Sequence, residues 1–324
     1  MTMTILQILW NDIFPLFAFI GCGWFLDSKF KIDISTYSKL TVYVVLPCFV
    51  FFSIYKYEPH PQDWSLVPAA LLLMVLLFVL SGGVAKWLDL SPQDKADFQA
   101  ISTFSNSGHL GAALVMLVFS HDPFVVNGET PYLTTAMGTM AILMILMNVA
   151  VNTWGGALIR SDSDKRIHLF PALLKMPVFY AVLLAVLVRF SPFRLEGTFL
   201  YPVFTHFDGA FIVLVMITIG LQLHRTHLTQ VNHFNVAAAV LKLLVSPLLA
   251  WLFITVMGQW SPEASQVFFL YAAVPSSLTL VLYGIEFRSD PQILTQSVIF
   301  NTLIGIVTIT AAIYLARILF PVGL

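Results

Sequence analysis

Charge is scarce in this sequence. Only 10% of its 324 residues are Asp, Glu, Lys or Arg, against about 25% in soluble domains. A chain that poor in charge cannot cover a globular surface with solvated side chains, so an ordinary soluble fold is excluded. The formal net charge of −1 leaves no basic surplus to neutralise phosphates, which argues against nucleic acid as a partner. Cysteine is scarcer still. Cys22 and Cys48 both fall inside apolar runs, so no disulfide framework is expected. The chain also lacks a His-Glu-x-x-His zinc motif and a Gly-x-Ser-x-Gly nucleophile turn, two common hydrolase signatures. No cofactor and no metal are expected.

What is present is apolar length. Hydrophobic residues make up 58% of the chain, and the mean hydropathy is +0.86. A helix needs about 20 apolar residues to cross the hydrocarbon core. That length marks ten spans, near 5–26, 35–55, 65–88, 98–119, 132–159, 169–190, 202–223, 235–257, 265–287 and 292–317. The expected fold is an all-α polytopic membrane protein, with connections too short to hold a soluble domain. No basic n-region and no small-residue cleavage site precede Asp27, so Leu6 to Leu26 reads as a retained first span. The longest connection, His121 to Pro131, contains Asp122-Pro123 and Asn127-Gly128 and reads as a turn-rich surface loop.

Lys56, Arg189, Arg194 and Arg317 fall on one side of the membrane and the other basic residues on the opposite side. The richer side is expected to be cytoplasmic, which puts both termini outside. Asp12, Asp208, Lys175 and Lys242 fall near span ends, where snorkelling to the interface accounts for them.

An internal repeat emerges when span four is laid on span nine. Ser91-Pro92-Gln93 opens one and Ser261-Pro262-Glu263 opens the other. Each is a helix start, with Ser capping the free amides and Pro at the first helical position. The same shift lays Ser105-Asn106 on Pro275-Ser276. Pro275 removes a hydrogen bond from its helix, and Gly108 and Gly111 are expected to loosen span four. Two copies of five spans, 1–160 and 161–324, must insert with opposite orientation. Inverted repeats with paired broken helices at mid-membrane are a secondary-transporter architecture.

The centre of span four is the stretch that composition leaves unexplained. Ser105-Asn106-Ser107-Gly108-His109-Leu110-Gly111 is too polar to face lipid, and such groups are tolerated at mid-depth only inside protein or against a cavity. The helix starts after each break would offer free amides to an anion, worth about 0.3–2 kcal/mol. The candidate binding residues are Asn106, Ser107, Gly108, His109 and Gly111 in span four, with Pro275, Ser276, Ser277 and Thr279 in span nine. His109 adds a titratable group. Pro275 is expected to shape backbone, and Asn148, Asn152 and Asn301 to join helices.

The motifs resemble those of the auxin efflux carrier family. Ile13-Phe14-Pro15-Leu16-Phe17 followed by Gly21 to Leu26 is similar to its first span, and Leu46-Pro47 to its second. Asn106 through Leu114 resembles its Asn-x-Gly-x-x-Gly-x-Pro-Leu signature, with Ala113 at the family's proline and His109 inside the motif. Ile219 to Leu223, Ala272 to Pro275, Asp290-Pro291 and Ser297 to Ile299 resemble later family segments in order. The resemblance implies spans four and nine crossing at their breaks, a homodimer-forming scaffold unit and a mobile transport unit. It also implies a small organic anion as cargo, such as malate or malonate, carried across the cell inner membrane. Bile-acid sodium symporters look like distant relatives, so a sodium-coupled symporter is an alternative. An intramembrane enzyme and a transporter-like sensor are alternatives from other classes.

Overall fold

The computed structural model describes residues 5–58, 61–159, 174, 176–225, 231–257, 260–287 and 292–322. The expected start of span six, Lys175, Asp290-Pro291 and the boundary between the two halves lie outside those residues. The described chain is helical, with two isolated β-bridges and no strand. Among the described residues, seven helices are long and apolar enough to cross a membrane: α1 (Ile5–Phe30), α2 (Ile34–Lys56), α3 (Asp63–Trp87), α6 (Leu133–Ile159), α8 (Leu200–His224), α9 (His233–Met257) and α12 (Gln292–Leu319). Between them lie shorter helices: α4 (Pro92–Thr103), α5 (Ser107–Phe119), α7 (Pro177–Phe190), α10 (Pro262–Ala273) and α11 (Thr279–Phe287).

Helix ends follow local chemistry. Asp33 caps α2, accepting from the backbone N–H of Ser35 at 3.1 Å and of Thr36 at 3.3 Å. The Thr36 hydroxyl also donates to it, which holds its carboxyl below the usual carboxylate range. The loop before α6 turns at Asn127 and Gly128, both at positive φ (54° and 84°). That geometry closes the Val126–Glu129 bridge and suits an Asn-Gly pair.

Two pairings frame the interior: α1 lies along α8, and α2 along α7. The first is set by glycine. A Cβ on Gly220 would sit 2.0 Å from the Ile20 carbonyl oxygen, and one on Gly23 would sit 2.2 Å from that of Ile217. Only glycine lets the two backbones come this close, a recurrent means of helix association in membranes. Phe49 stacks on Phe211 at 4.0 Å and joins α2 to α8. The short helices α4 and α10 lie inside. Every described α4 residue from Ala96 to Thr103 and every α10 residue from Ala264 to Ala273 is buried.

Three expectations are corrected here. The first helix does not stop at Leu26 but runs to Phe30, because Asp27 is not a loop residue. It is buried, and its carboxylate accepts from Arg225 Nε at 2.9 Å and bonds His224 Nδ1 at 2.7 Å, so the charge is matched inside the helix pair. Asp12 does not snorkel either. It is buried against Arg317, whose guanidinium donates to it at 2.8 Å, with His121 Nδ1 3.6 Å away. Lys242 is buried as well, at 1% exposure. Hydropathy places these residues along a helix but does not say which face turns inward.

Candidate functional site

The site is built on two helices of matching design. Ser91 Oγ accepts from the Asp94 N–H at 3.1 Å, and Ser261 Oγ from the Ala264 N–H at 3.2 Å. Proline follows each cap. Both helices are 12 residues long, and both ends of α10 lie 170 positions after those of α4. The ends differ in cause. Val274 precedes Pro275 and is therefore pushed out of the α region, to φ −66°, ψ 136°. No proline follows α4, and Phe104 turns extended (φ −93°, ψ 121°) where its backbone meets the other break.

There the two interruptions hydrogen-bond to each other. The Asn106 N–H donates to the Pro275 carbonyl at 2.8 Å, and the Ser277 N–H donates to the Phe104 carbonyl at 2.9 Å. Ser105 and Ser276 form an antiparallel bridge between them. Ser276 Oγ donates to the Ile101 carbonyl at 2.7 Å and accepts from Asn301 Nδ2 at 2.7 Å. Ser246 Oγ supplies the donor for the Ala272 carbonyl at 2.9 Å. Carbonyls at the ends of both helices thus find partners in protein, as non-helical backbone away from water requires.

The helix that resumes after the first break opens with a wide, π-type turn, Ser107–Gly111, in which the Gly111 N–H reaches the Asn106 carbonyl at 3.1 Å. The N–H groups of the first turn of such a helix have no intrahelical acceptor, which leaves an electropositive end. Gly108 and Gly111 both lie within this wide turn. They are helical, and the interruption lies before them at Phe104–Asn106. Their job is close approach. A Cβ on Gly111 would meet Met140 Cε at 2.6 Å, and one on Gly108 would meet Asn148 Nδ2 at 3.3 Å.

Asn106 lines a cavity of about 30 Å³ with Leu110, Leu278 and Thr302, closed by apolar side chains of α1, α8 and α12, among them Leu16 and Ile219. That is room for about two waters. The other candidates are placed differently. Ser107 is buried, with its hydroxyl unpartnered, and His109 is half-buried on α5. Pro275, Ser276 and Ser277 are committed to the pairing, and Ser277 Oγ accepts from the Thr279 N–H at 3.3 Å. Thr279 starts α11 and is half-buried. Further buried polar atoms without hydrogen-bond partners are Ser105 Oγ, Asn148 Nδ2 and Asn301 Oδ1. Asn152 Oδ1 accepts from Tyr283 OH at 2.5 Å and ties α6 to α11. Thr302 was not among the sequence candidates, because a lone Thr in an apolar helix carries no pattern of its own.

Comparison with known proteins gives the family. The membrane transport protein family profile matches residues 8–313. An uncharacterised transporter of Methanothermobacter thermautotrophicus is 25% identical over 288 residues, covering 86% of this chain and 87% of that one. An uncharacterised transporter of Methanocaldococcus jannaschii is 20% identical over 281 residues, covering 84% and 86%. With its profile spanning nearly the whole sequence, the chain belongs to the membrane transport protein family, the family of the auxin efflux carriers.

Proposed function

We propose that the protein is a secondary transporter that moves a small organic anion, a carboxylate, across the cell inner membrane by alternating access at a crossover of two interrupted spans. The observation that carries this reading is the reciprocal backbone pairing of Asn106 with Pro275 and of Ser277 with Phe104. Irregular backbone at membrane depth persists where it is buried in protein or lines a cavity, and the helix starting beyond Asn106 offers its free amides to an anion. Asn106, Ser107, His109 and Thr302 add neutral or titratable hydrogen-bonding groups around it.

In this reading α4–α5 and α10–α11 are single interrupted spans and α7 is the described part of span six, giving ten in all. Residues 1–160 and 161–324 form two five-span halves inserted in opposite senses. Exchange of the halves turns the α1–α8 pair into α7–α2, and both pairings occur. It also carries α4 onto α10, helices of equal length. Both termini face outward, and two copies associate as a homodimer.

The cavity at Asn106 is too small for a carboxylate with several heavy atoms. Cargo therefore binds when α1 and α8 move away from the paired breaks. A thermal-shift screen of purified protein against dicarboxylates, monocarboxylates and aromatic acids tests the proposal. Stabilisation by at least one acid, lost in Asn106→Ala, is expected; no stabilisation by any acid overturns it.

A further inference from the structure

Lys242 lies deep inside the bundle. It is the tenth residue of α9, roughly 14 Å from the helix start at 1.5 Å per residue, in a hydrocarbon core about 30 Å thick. It belongs to the π-type turn Leu241–Val245, one of five such turns among the described residues. Among the described residues its Nζ has no ion-pair partner and no hydrogen bond.

Its direction follows from its neighbours on the same helix face. Seven residues earlier, Asn235 Nδ2 donates to Ser297 Oγ on α12 at 2.7 Å. Four residues later, Ser246 Oγ donates to the Ala272 carbonyl at the end of α10. Lys242 thus lies between α12 and α10, and its turn also packs on α4. Those same elements carry buried hydroxyls without hydrogen-bond partners: Ser102 and Thr103 on α4, and Tyr271 on α10. Ser and Thr in membrane helices ordinarily bond back to their own backbone; these two do not.

A buried, unpaired ammonium costs several kcal/mol inside a membrane, so such groups are rare there and mark ion or substrate paths. No residue of α9 lines the Asn106 cavity. We propose that Lys242, with the hydroxyls of Ser102, Thr103 and Tyr271, forms a second anion station on another flank of the paired breaks, taking a carboxylate. The inference rests on the carboxylate-carrier reading above and adds the fixed cation that reading lacked. Asp97, the buried carboxylate on α4, is beyond ion-pair distance of Lys242. An internal Lys242–Asp97 couple is the rival account.

Radiolabelled malonate binding to the full chain in lipid nanodiscs tests this. Lys242→Met is expected to weaken binding roughly tenfold or more, and Lys242→Arg to keep it within a few-fold. Unchanged affinity in Lys242→Met overturns the station and leaves the carrier reading standing. Failure of the wild type to bind malonate, succinate or hexanoate overturns the carrier reading, and the station falls with it. Restoration of a destabilised Lys242→Met by Asp97→Asn identifies the internal couple and overturns the station. A measurement without variants covers the case in which Lys242→Met does not fold. An amine-reactive reagent is expected to label Lys242 in the wild type, and saturating malonate to slow it. Equal rates, or no labelling at Lys242, overturn the inference.

Discussion

Asn106 and Pro275 are joined through their backbones: the N–H of one donates to the carbonyl of the other at 2.8 Å, where both helices have come apart. The proline earns its place twice, by ending its own helix and by leaving a carbonyl for the facing chain. Side chains then secure the junction, and Ser276 does most of it.

Ser276→Ala removes the donor for the Ile101 carbonyl and the acceptor for Asn301 Nδ2, all inside the bundle. Leaving a buried polar group unsatisfied costs about 1–3 kcal/mol, so a loss of that order is expected. Thermal unfolding of the purified variant in detergent measures it. A melting curve identical to the wild type would mean that water replaces the hydroxyl.

Gly305 holds Pro275 from the other side. A Cβ there would lie 2.6 Å from Pro275 Cγ, so Gly305→Val must push the second break out of place. Overpacking of this kind costs about 1–3 kcal/mol. Carboxylate uptake by proteoliposomes should fall by a larger factor than stability does, because the displaced residue is part of the pairing. Full uptake in Gly305→Val would show that the geometry at Pro275 is not needed.

The α1–α8 contact offers a test away from the breaks. Gly220→Ala would place a methyl 2.0 Å from the Ile20 carbonyl oxygen and 2.8 Å from the Trp24 nitrogen. Backbone cannot yield as a side chain does, so the helices must separate, at a cost of about 1–3 kcal/mol or more. Gly21→Ala, where no atom lies within 4 Å of the added carbon, is the control and should melt with the wild type.

Asp12 and Arg317 form a pair at 2.8 Å with 0% and 8% of their side chains exposed. Asp12→Asn leaves the guanidinium buried without its counter-charge, a change that costs about 3–5 kcal/mol. The double variant Asp12→Asn/Arg317→Met should regain part of that loss, since both charges are then gone. Thermal melts of the two variants compare them directly, and equal melts would argue that His121 or solvent already balances the arginine.

The paired starts of α4 and α10 were legible because Ser-Pro at a helix start is a local signal. The end of α10 also has a local signal, because Pro275 pushes Val274 out of the α region. Ser105-Asn106, laid on Pro275-Ser276 by the repeat, falls between the end of α4 and the start of α5, where two backbone segments meet; Gly108 and Gly111 alone do not announce that meeting. Asn106 stands out in the sequence as an isolated amide in an apolar run, whereas Thr302, which lines the same cavity, resembles any other membrane threonine. Asp12 and Lys242, expected to snorkel, are buried instead, for one common reason. Distance from a span's end sets depth, but only tertiary packing decides whether a side chain reaches water or a partner across the bundle.

The most direct test of the account is concentration-dependent uptake of radiolabelled carboxylates by proteoliposomes holding the wild type or Asn106→Ala. The account predicts saturable uptake of at least one acid by the wild type. It predicts at least roughly tenfold weaker uptake in the variant, the loss of an orienting hydrogen bond to a charged group being worth about 1.5–3 kcal/mol. Uptake that is equal in the two proteins, or absent from both for every acid, would contradict it.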